Sequence, residues 1–247
     1  MAAPRVTVAV PSFNHAAFLD EALASLFAQN VPVEVYVADA GSVDGSVEVI
    51  RRYEDRLLGW RSHPDGGQAA AINEGIAAGT APYVCWLNSD DYLLPGGLAK
   101  LLAALEAEPR AAMAYGRAWD AHDDGRRTPV FVRPFKPWLM AQLCIVSQPA
   151  TLVRRSAWEA VGGVDAGLHL ALDYDLWWRL YRCFGQPVFV NDFVAVNRAH
   201  ARTKTATQRA AHYREAIGVV RRHYGRVPLK WYLAQPYAVW YRSRIGR

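Results

Sequence analysis

Short β-branched runs alternate with helix-spaced apolar segments from Val6 to Leu87, and this alternation limits the folds open to the chain more than any other feature. Val6 to Val10 and Val33 to Asp39 read as strands, with Leu19, Ala22, Leu23, Leu26 and Phe27 between them at helical spacing. Asp44 is placed to cap a second helix that turns Val47 and Ile50 inward, and a strand follows around Leu57 to Ser62. A helix over about Gly67 to Ala78 then leads through the Gly79 to Pro82 turn into a strand at Tyr83 to Leu87. Strands that alternate with helices predict an α/β fold: a Rossmann-like mixed, mostly parallel sheet flanked by helices. Beyond a helix at Pro95 to Glu108 the pattern loosens. The turn-rich Asp120 to Arg127 reads as an excursion before a strand resumes at Ala150 to Val153.

In open sheets of this kind ligands lie beyond the carboxyl ends of the strands, so the polar residues there are candidates. Three clusters qualify: Pro11-Ser12-Phe13-Asn14, Asp39-Ala40-Gly41-Ser42 and Asn88-Ser89-Asp90-Asp91. The last offers an amide and two carboxylates, hard oxygen donors suited to Mg²⁺ or Mn²⁺ shared with substrate phosphates. The Asp39 carboxylate can accept a hydrogen bond from a base imide, with Gly41 and Ser42 small enough to let a ligand approach. A plain strand-end turn is the competing reading of both clusters. Asp65-Gly66-Gly67-Gln68 is a glycine turn opening a helix whose free amides favour phosphate, and Asn73 lies one and a half turns in, within reach of a ligand; a helix that serves packing alone is the competing reading. Leu172-Asp173-Tyr174-Asp175 starts an amphipathic helix. Its two acids cannot share one face, so at most one meets a substrate, and the other caps the helix or is solvated.

Together these segments resemble the inverting glycosyltransferases of family 2, which have the GT-A fold, over roughly Val6 to Thr205. The resemblance implies that Asp39 contacts the nucleotide base, that Asp90 coordinates the metal with Asn88 or Asp91 assisting, and that Asp173 is the catalytic base. It implies a donor site drawing on Pro11, Ser12, Asn14, Gly67, Gln68, Asn73 and Ser89. It also implies a late loop in which His200 completes the metal shell while Arg202 or Lys204 meets the diphosphate. The chain departs from the family pattern at Asn88, where many members have Asp, at Ala40, where a second acid is common, and at Leu172, which replaces a frequent Glu. The expected activity is transfer of a sugar from a nucleotide-diphosphate donor, with uridine favoured, to a hydroxyl of a glycan or lipid-linked acceptor for a cell-surface polymer. A sugar nucleotidyltransferase is the rival in another reaction class, but the loop after the first strand lacks the glycine-rich basic sequence such enzymes use. A non-catalytic nucleotide-sugar or glycan-binding module is the second rival.

Charge divides the chain. From Phe193 onward 12 Lys and Arg stand against a single acid, Glu215, whereas the preceding body is acidic in balance, which argues against nucleic acid as a partner. Residues 1–205 are expected to form the catalytic domain and 206–247 a basic, aromatic-rich helical extension. Within it, 228–247 mixes Trp231, Tyr232, Tyr237, Trp240 and Tyr241 with Lys230, Arg242, Arg244 and Arg247, a composition suited to peripheral contact with an anionic membrane, with an ordinary terminal helix packed on the domain as the competing reading. No signal peptide or membrane-spanning run precedes Val6, so the expected location is cytoplasmic, on or near the inner membrane face. Cys85, Cys144 and Cys183 lack disulfide or zinc spacing and read as buried thiols.

Overall fold

The computed structural model describes residues 3–199 and 207–235. The chain runs β1 (Val6–Ser12), α1 (Ala16–Phe27), β2 (Val33–Asp39), α2 (Ser46–Arg51), β3 (Gly59–Ser62), α3 (Gln68–Ala78), β4 (Tyr83–Trp86), β5 (Tyr92–Leu93) and α4 (Gly97–Ala107). It continues through β6 (Met113–His122), β7 (Arg127–Pro129), α5 (Pro137–Met140), β8 (Thr151–Arg154), α6 (Arg155–Ala160), α7 (Leu172–Phe184), β9 (Val188–Ala199), α8 (Arg209–Tyr224) and α9 (Leu229–Gln235).

The nine strands form one sheet in the order β3-β2-β1-β4-β8-β6-β9-β5, with β7 paired to β6. The β3-β2-β1-β4 portion is parallel; β8 runs antiparallel to β4 and β6, β9 returns parallel to β6, and β5 closes the edge antiparallel to β9. Every residue of β1 is buried, as a central parallel strand covered on both faces must be. Val6, Val8 and Val10 pack with Leu19, Leu23 and Leu26 of α1 and Leu98 and Leu101 of α4 on one face. Ala9 joins Ile72 and Ile76 of α3 on the other. That helix lies close because Gly75 faces Ala9; a Cβ there would stand 2.7 Å from the alanine methyl.

Two regions differ from expectation. The turn-rich Asp120 to Arg127 is no excursion but the tip of a hairpin: β6 runs on through His122 and Gly125, in the left-handed region, turns the chain into β7. β5, β6 and β9 lie outside the strands read from the sequence, and together they form the far half of the sheet. Of the cysteines expected to be buried, Cys85 is so, whereas Cys183 is exposed.

The helices after residue 206 share the core of the sheet domain. Ala216, Val219 and Val220 of α8 and Trp231 of α9 are buried in the same apolar cluster as α3, α6 and α7, and the Trp231 indole N–H donates to the Ala141 carbonyl at 2.7 Å. An ion-pair cluster pins α8 to α7. Asp175, its side chain 1 % exposed, accepts from Arg179 Nε at 2.6 Å, His223 Nε2 at 2.8 Å and Arg222 Nη1 at 3.3 Å. Burial alone would raise the Asp175 pKa, but the His223 and Arg179 hydrogen bonds overcome it and hold the carboxyl below its ordinary value. A carboxyl depressed in the folded state contributes stability that is present above its unfolded pKa and lost as the pH falls through its folded one. Asp175→Asn is therefore expected to lower unfolding stability by about 3 kcal/mol at pH 7, and by progressively less below about pH 4, in urea titrations across pH.

Candidate active site

The carboxyl ends of β1, β2 and β3 stand in register, with Ser12 beside Asp39 and Asp39 beside Ser62. The Asp39 carboxylate ties the loops together. Its Oδ2 accepts from the amides of Gly41 at 3.1 Å and Ser42 at 2.8 Å and from Ser62 Oγ at 2.7 Å, while Oδ1 accepts from Ser42 Oγ at 2.6 Å. Those contacts cover the carboxylate completely, so in this arrangement it shapes the loop after β2, and one lone pair on Oδ1 is left without a partner among these bonds. Asn14, in the left-handed region at φ 53°, donates its backbone N–H to Ser42 Oγ and accepts from Val43 N at its side-chain Oδ1, which joins the β1 loop to the β2 loop. Asp44 secures both helix starts beneath, accepting from Ala16 N with one oxygen and from Ser46 N and Oγ with the other. Pro11 is buried within β1, and the Ser12 hydroxyl beside Asp39 is buried with no hydrogen-bond partner.

Arg61 on β3, absent from the residues read as functional in the sequence, organises the neighbouring edge. Its guanidinium donates to the Asp39 carbonyl at 2.7 Å, to Asp65 at 2.8 Å and to Glu74 on α3 at 2.7 Å, and these charged hydrogen bonds, Glu74 first, push its pKa further up. Asp65 in turn accepts from Gly67 N at 2.8 Å, so the turn that starts α3 hangs from Arg61. Gly67 sits at φ 98° with open space where a side chain would be. Asn73 lies further along α3. Its amide donates to the Val164 carbonyl at 2.9 Å and its oxygen accepts from Val164 N at 3.1 Å, so both polar ends brace the turn before α7 instead of facing a ligand.

The Asn88–Asp91 loop is braced from within. Gln68 Nε2 donates to Asn88 Oδ1 at 2.8 Å, and the Asn88 amide donates to Asp91 Oδ2 at 3.1 Å and Gln148 Oε1 at 3.2 Å. Asp91 Oδ1 accepts the backbone N–H of Arg198, near the end of β9, at 2.9 Å. Asp91 is buried, and burial followed by the adjacent Asp90 charge raises its pKa well above the usual carboxylate range. Its two oxygens serve Asn88 and Arg198, so Asp91 braces the loop where direct metal ligation was expected. Ser89 is buried too, its hydroxyl 2.8 Å from His15 Nδ1. Asp90 is half-buried at the surface of the loop. Among the described residues no cluster of three or more His, Cys, Asp or Glu is arranged to hold a metal ion. The donors present, Asp90 with the buried Asp91 behind it, fit a hard divalent cation that takes most of its shell from phosphate and water. His200, Arg202 and Lys204 lie outside the described residues.

Of the paired acids on α7, Asp175 belongs to the ion-pair cluster and Asp173 faces the other way. Asp173 accepts from Tyr174 N at 2.8 Å, and burial raises its pKa to about 6. The Cys144 thiol stands near it, pushed well up by burial and by the Asp173 charge. Trp177, one turn after Asp173, stacks on Trp86, the last residue of β4, with ring centroids 5.7 Å apart and planes 16° apart. The stack ties the helix that carries Asp173 to the end of β4, two residues ahead of Asn88. Asn197 on β9 adds an unread link, donating to Asp120 on β6 at 3.1 Å and to Ser147 Oγ at 3.2 Å.

The curled, mixed and mostly parallel sheet flanked by helices is the GT-A fold. The model of the family described as "Glycosyl transferase family 2" matches residues 7–162, and the chain belongs to that family. An uncharacterized glycosyltransferase of Rickettsia typhi is 24 % identical over 83 % of this chain and 67 % of its own length. The O-antigen biosynthesis protein RfbC of Myxococcus xanthus is 30 % identical over 72 % of this chain but only 14 % of its own, and the chondroitin synthase of Pasteurella multocida 25 % identical over 72 % and 19 %. Among solved structures, S. aureus TarS in complex with UDP superposes with a TM-score of 0.71 at 16 % identity, covering 98 % of this chain and 74 % of that one. A mannosyltransferase of Pyrobaculum calidifontis in complex with GDP-Man and Mn²⁺ superposes with a TM-score of 0.71 at 22 % identity, covering 97 % and 73 %.

Because Asn73 braces Val164, Asn73→Ala is expected to cost about 2 kcal/mol by leaving two backbone groups unpaired, seen as a lower Tm. The stabilisation gained from a bound nucleotide should persist in that variant. Its disappearance in well-folded protein would show that Asn73 touches the ligand.

Proposed function

We propose that the enzyme moves a hexosyl or N-acetylhexosaminyl group, with inversion, from a nucleotide-diphosphate donor to a hydroxyl of a glycan or lipid-linked acceptor in the assembly of a cell-surface polysaccharide. The observation that carries this reading is Asp173: a carboxyl in the first turn of α7, raised by burial to about 6, on a helix that the Trp86–Trp177 stack ties to the end of β4, just ahead of the loop that bears Asp90. A base poised near neutrality can take the proton of an attacking hydroxyl. The acceptor oxygen bonds to the anomeric carbon, the bond from that carbon to the phosphate oxygen breaks, and the hydroxyl proton passes to Asp173.

The donor side is assigned to the buried Ser12 hydroxyl, Asn14, the Asp39–Ser42 loop, the open turn at Gly67, Gln68 and the Asn88–Asp90 segment, with Arg202 and Lys204 for the diphosphate. Asp90, with His200, would hold Mg²⁺ or Mn²⁺, which when bound supplies positive charge to the departing diphosphate. A uridine donor is favoured by the UDP and UDP-GlcNAc complexes of TarS, and the GDP-Man complex of the Pyrobaculum enzyme keeps guanosine in the comparison. The polysaccharide setting draws support from the names of RfbC and chondroitin synthase.

Membrane contact through 228–247 draws support from α9. Leu229, Tyr232 and Leu233 are exposed at helical spacing, with exposed Arg221, Arg226 and Lys230 around them, while Trp231 anchors the helix inward. No helix of the described residues is long and apolar enough to cross a membrane.

A thermal-shift panel of UDP, GDP, dTDP and CMP with and without Mn²⁺ tests the donor site. One diphosphate at 100 times its Kd should add about 2.7 kcal/mol, and Asp90→Ala should abolish the metal-dependent part. No stabilisation by any diphosphate would overturn the assignment. Transfer rates should fall as the pH drops through about 6, because Asp173 must be ionised to act, and Asp173→Asn should lose the reaction at every pH. Replacing Leu229, Tyr232 and Leu233 with Ser should release the protein from vesicles containing phosphatidylglycerol in a sedimentation assay. Retention on those vesicles would exclude α9 as the contact.

A further inference from the structure

We propose that Glu215 on α8 is a positioning residue for Asp173: it fixes the start of α7 and offsets the positive field of that helix end, so that Asp173 stands ready as a base. The inference rests on the assignment of Asp173 as the base. Glu215 Oε2 accepts the consecutive backbone N–H groups of His169 at 3.2 Å, Leu170 at 2.8 Å and Ala171 at 3.0 Å, with Oε1 also 3.3 Å from His169 N. Three successive amides closing on one anion form the kind of nest that proteins use to bind phosphate, and here a side chain of the same chain fills it. Ala171 is the N-cap of α7 and Asp173 follows two residues later in its first turn.

An acid in the first turn of a helix is normally stabilised as the anion by the helix dipole, which lowers its pKa and weakens it as a base. The Glu215 charge lies on that same helix end and opposes the effect. Among the described residues, the Cys144 thiol and Tyr174 stand beside Asp173, and His212 lies one turn before Glu215 on α8. Two residues further along α7, Asp175 is matched by Arg179, Arg222 and His223. Docking of α8 does not need Glu215, because that ion-pair cluster and the buried Ala216, Val219 and Val220 already hold the helix. Glu215 is also the single acid among the 12 Lys and Arg from Phe193 to the end of the chain, and it points inward at the helix that carries the base.

The test needs no acceptor. In the full chain labelled with carboxyl-¹³C aspartate, the Asp173 resonance is identified by its absence in Asp173→Asn and titrated in the wild type and in Glu215→Gln, which keeps the shape and one acceptor oxygen without the charge. Glu215→Gln should lower the Asp173 pKa by about one unit. The acid limb of UDP release from UDP-GlcNAc should move down with it, while stabilisation by UDP and Mn²⁺ stays as in the wild type. An Asp173 titration that does not move, with only Tm reduced, would overturn the proposal and leave Glu215 a structural cap. Should Glu215→Gln not fold, Glu215→Asp draws the charge back by one methylene and should lower the Asp173 pKa by a smaller amount; an unchanged value there overturns the proposal equally. Persistence of UDP release in Asp173→Asn would instead remove the base assignment, an outcome separate from whether Glu215 tunes Asp173.

Discussion

The stack of Trp86 on Trp177 is the contact on which the geometry of the site depends. Trp86 ends β4 two residues before Asn88, and Trp177 lies one turn after Asp173, so their packing ties the strand that leads into the Asn88–Asp91 loop to the helix that carries Asp173. Both indoles are almost fully buried, and Trp158 of α6 meets Trp86 edge-on with centroids 6.0 Å apart, which locks the pair from a third side. Large flat rings bury much area at little entropic cost and resist sliding, so they hold spacing better than loop contacts do. Gln148 adds polar support at the same point, donating to the Trp86 carbonyl and accepting from Asn88. In a displacement reaction, where misplacement of one group by about an ångström costs rate heavily, this rigidity matters more than the strength of any one hydrogen bond.

The parallel half of the sheet was legible because its strands carry Val in alternation with helices of strong apolar period, a pattern with one economical solution. The other half was not. β6 sets Ala114, Gly116 and Ala118 against Tyr115, Arg117 and Trp119, and the small side carries no strand signal of its own. Its smallness makes sense only beside β9: a Cβ at Gly116 would come within 2.6 Å of Val194. The identity of such a strand is fixed by a partner some 80 residues away in sequence, which no local period can report.

The site shows the same division between what is local and what is not. A polar residue at a strand end looks alike in sequence whether it binds a ligand or braces its own loop. The positions of the clusters after β1, β2 and β4 were readable, and Asp173 and Asp175 were rightly separated by helical geometry. The structure then sorts them. Asp39, Asn73, Asn88 and Asp91 carry dense internal hydrogen bonds, whereas Ser12 offers a buried hydroxyl without a partner. Arg61 went unread because its meaning lies in Asp65 and Glu74, acids brought to it by the turn and by α3.

Charge in the last quarter of the chain gives the sharpest case of sequence and structure informing each other. Read as a sum, the basic excess after Phe193 speaks only of an outer partner and treats Glu215 as noise. The fold separates the two signals by direction. Arg221, Arg226 and Lys230 face solvent with Leu229, Tyr232 and Leu233, while Glu215, His223 and the apolar side of α8 turn toward α7. The net charge of the two helices therefore conceals two uses of charge: cations at the surface, and one carboxylate that accepts the amides at the start of α7.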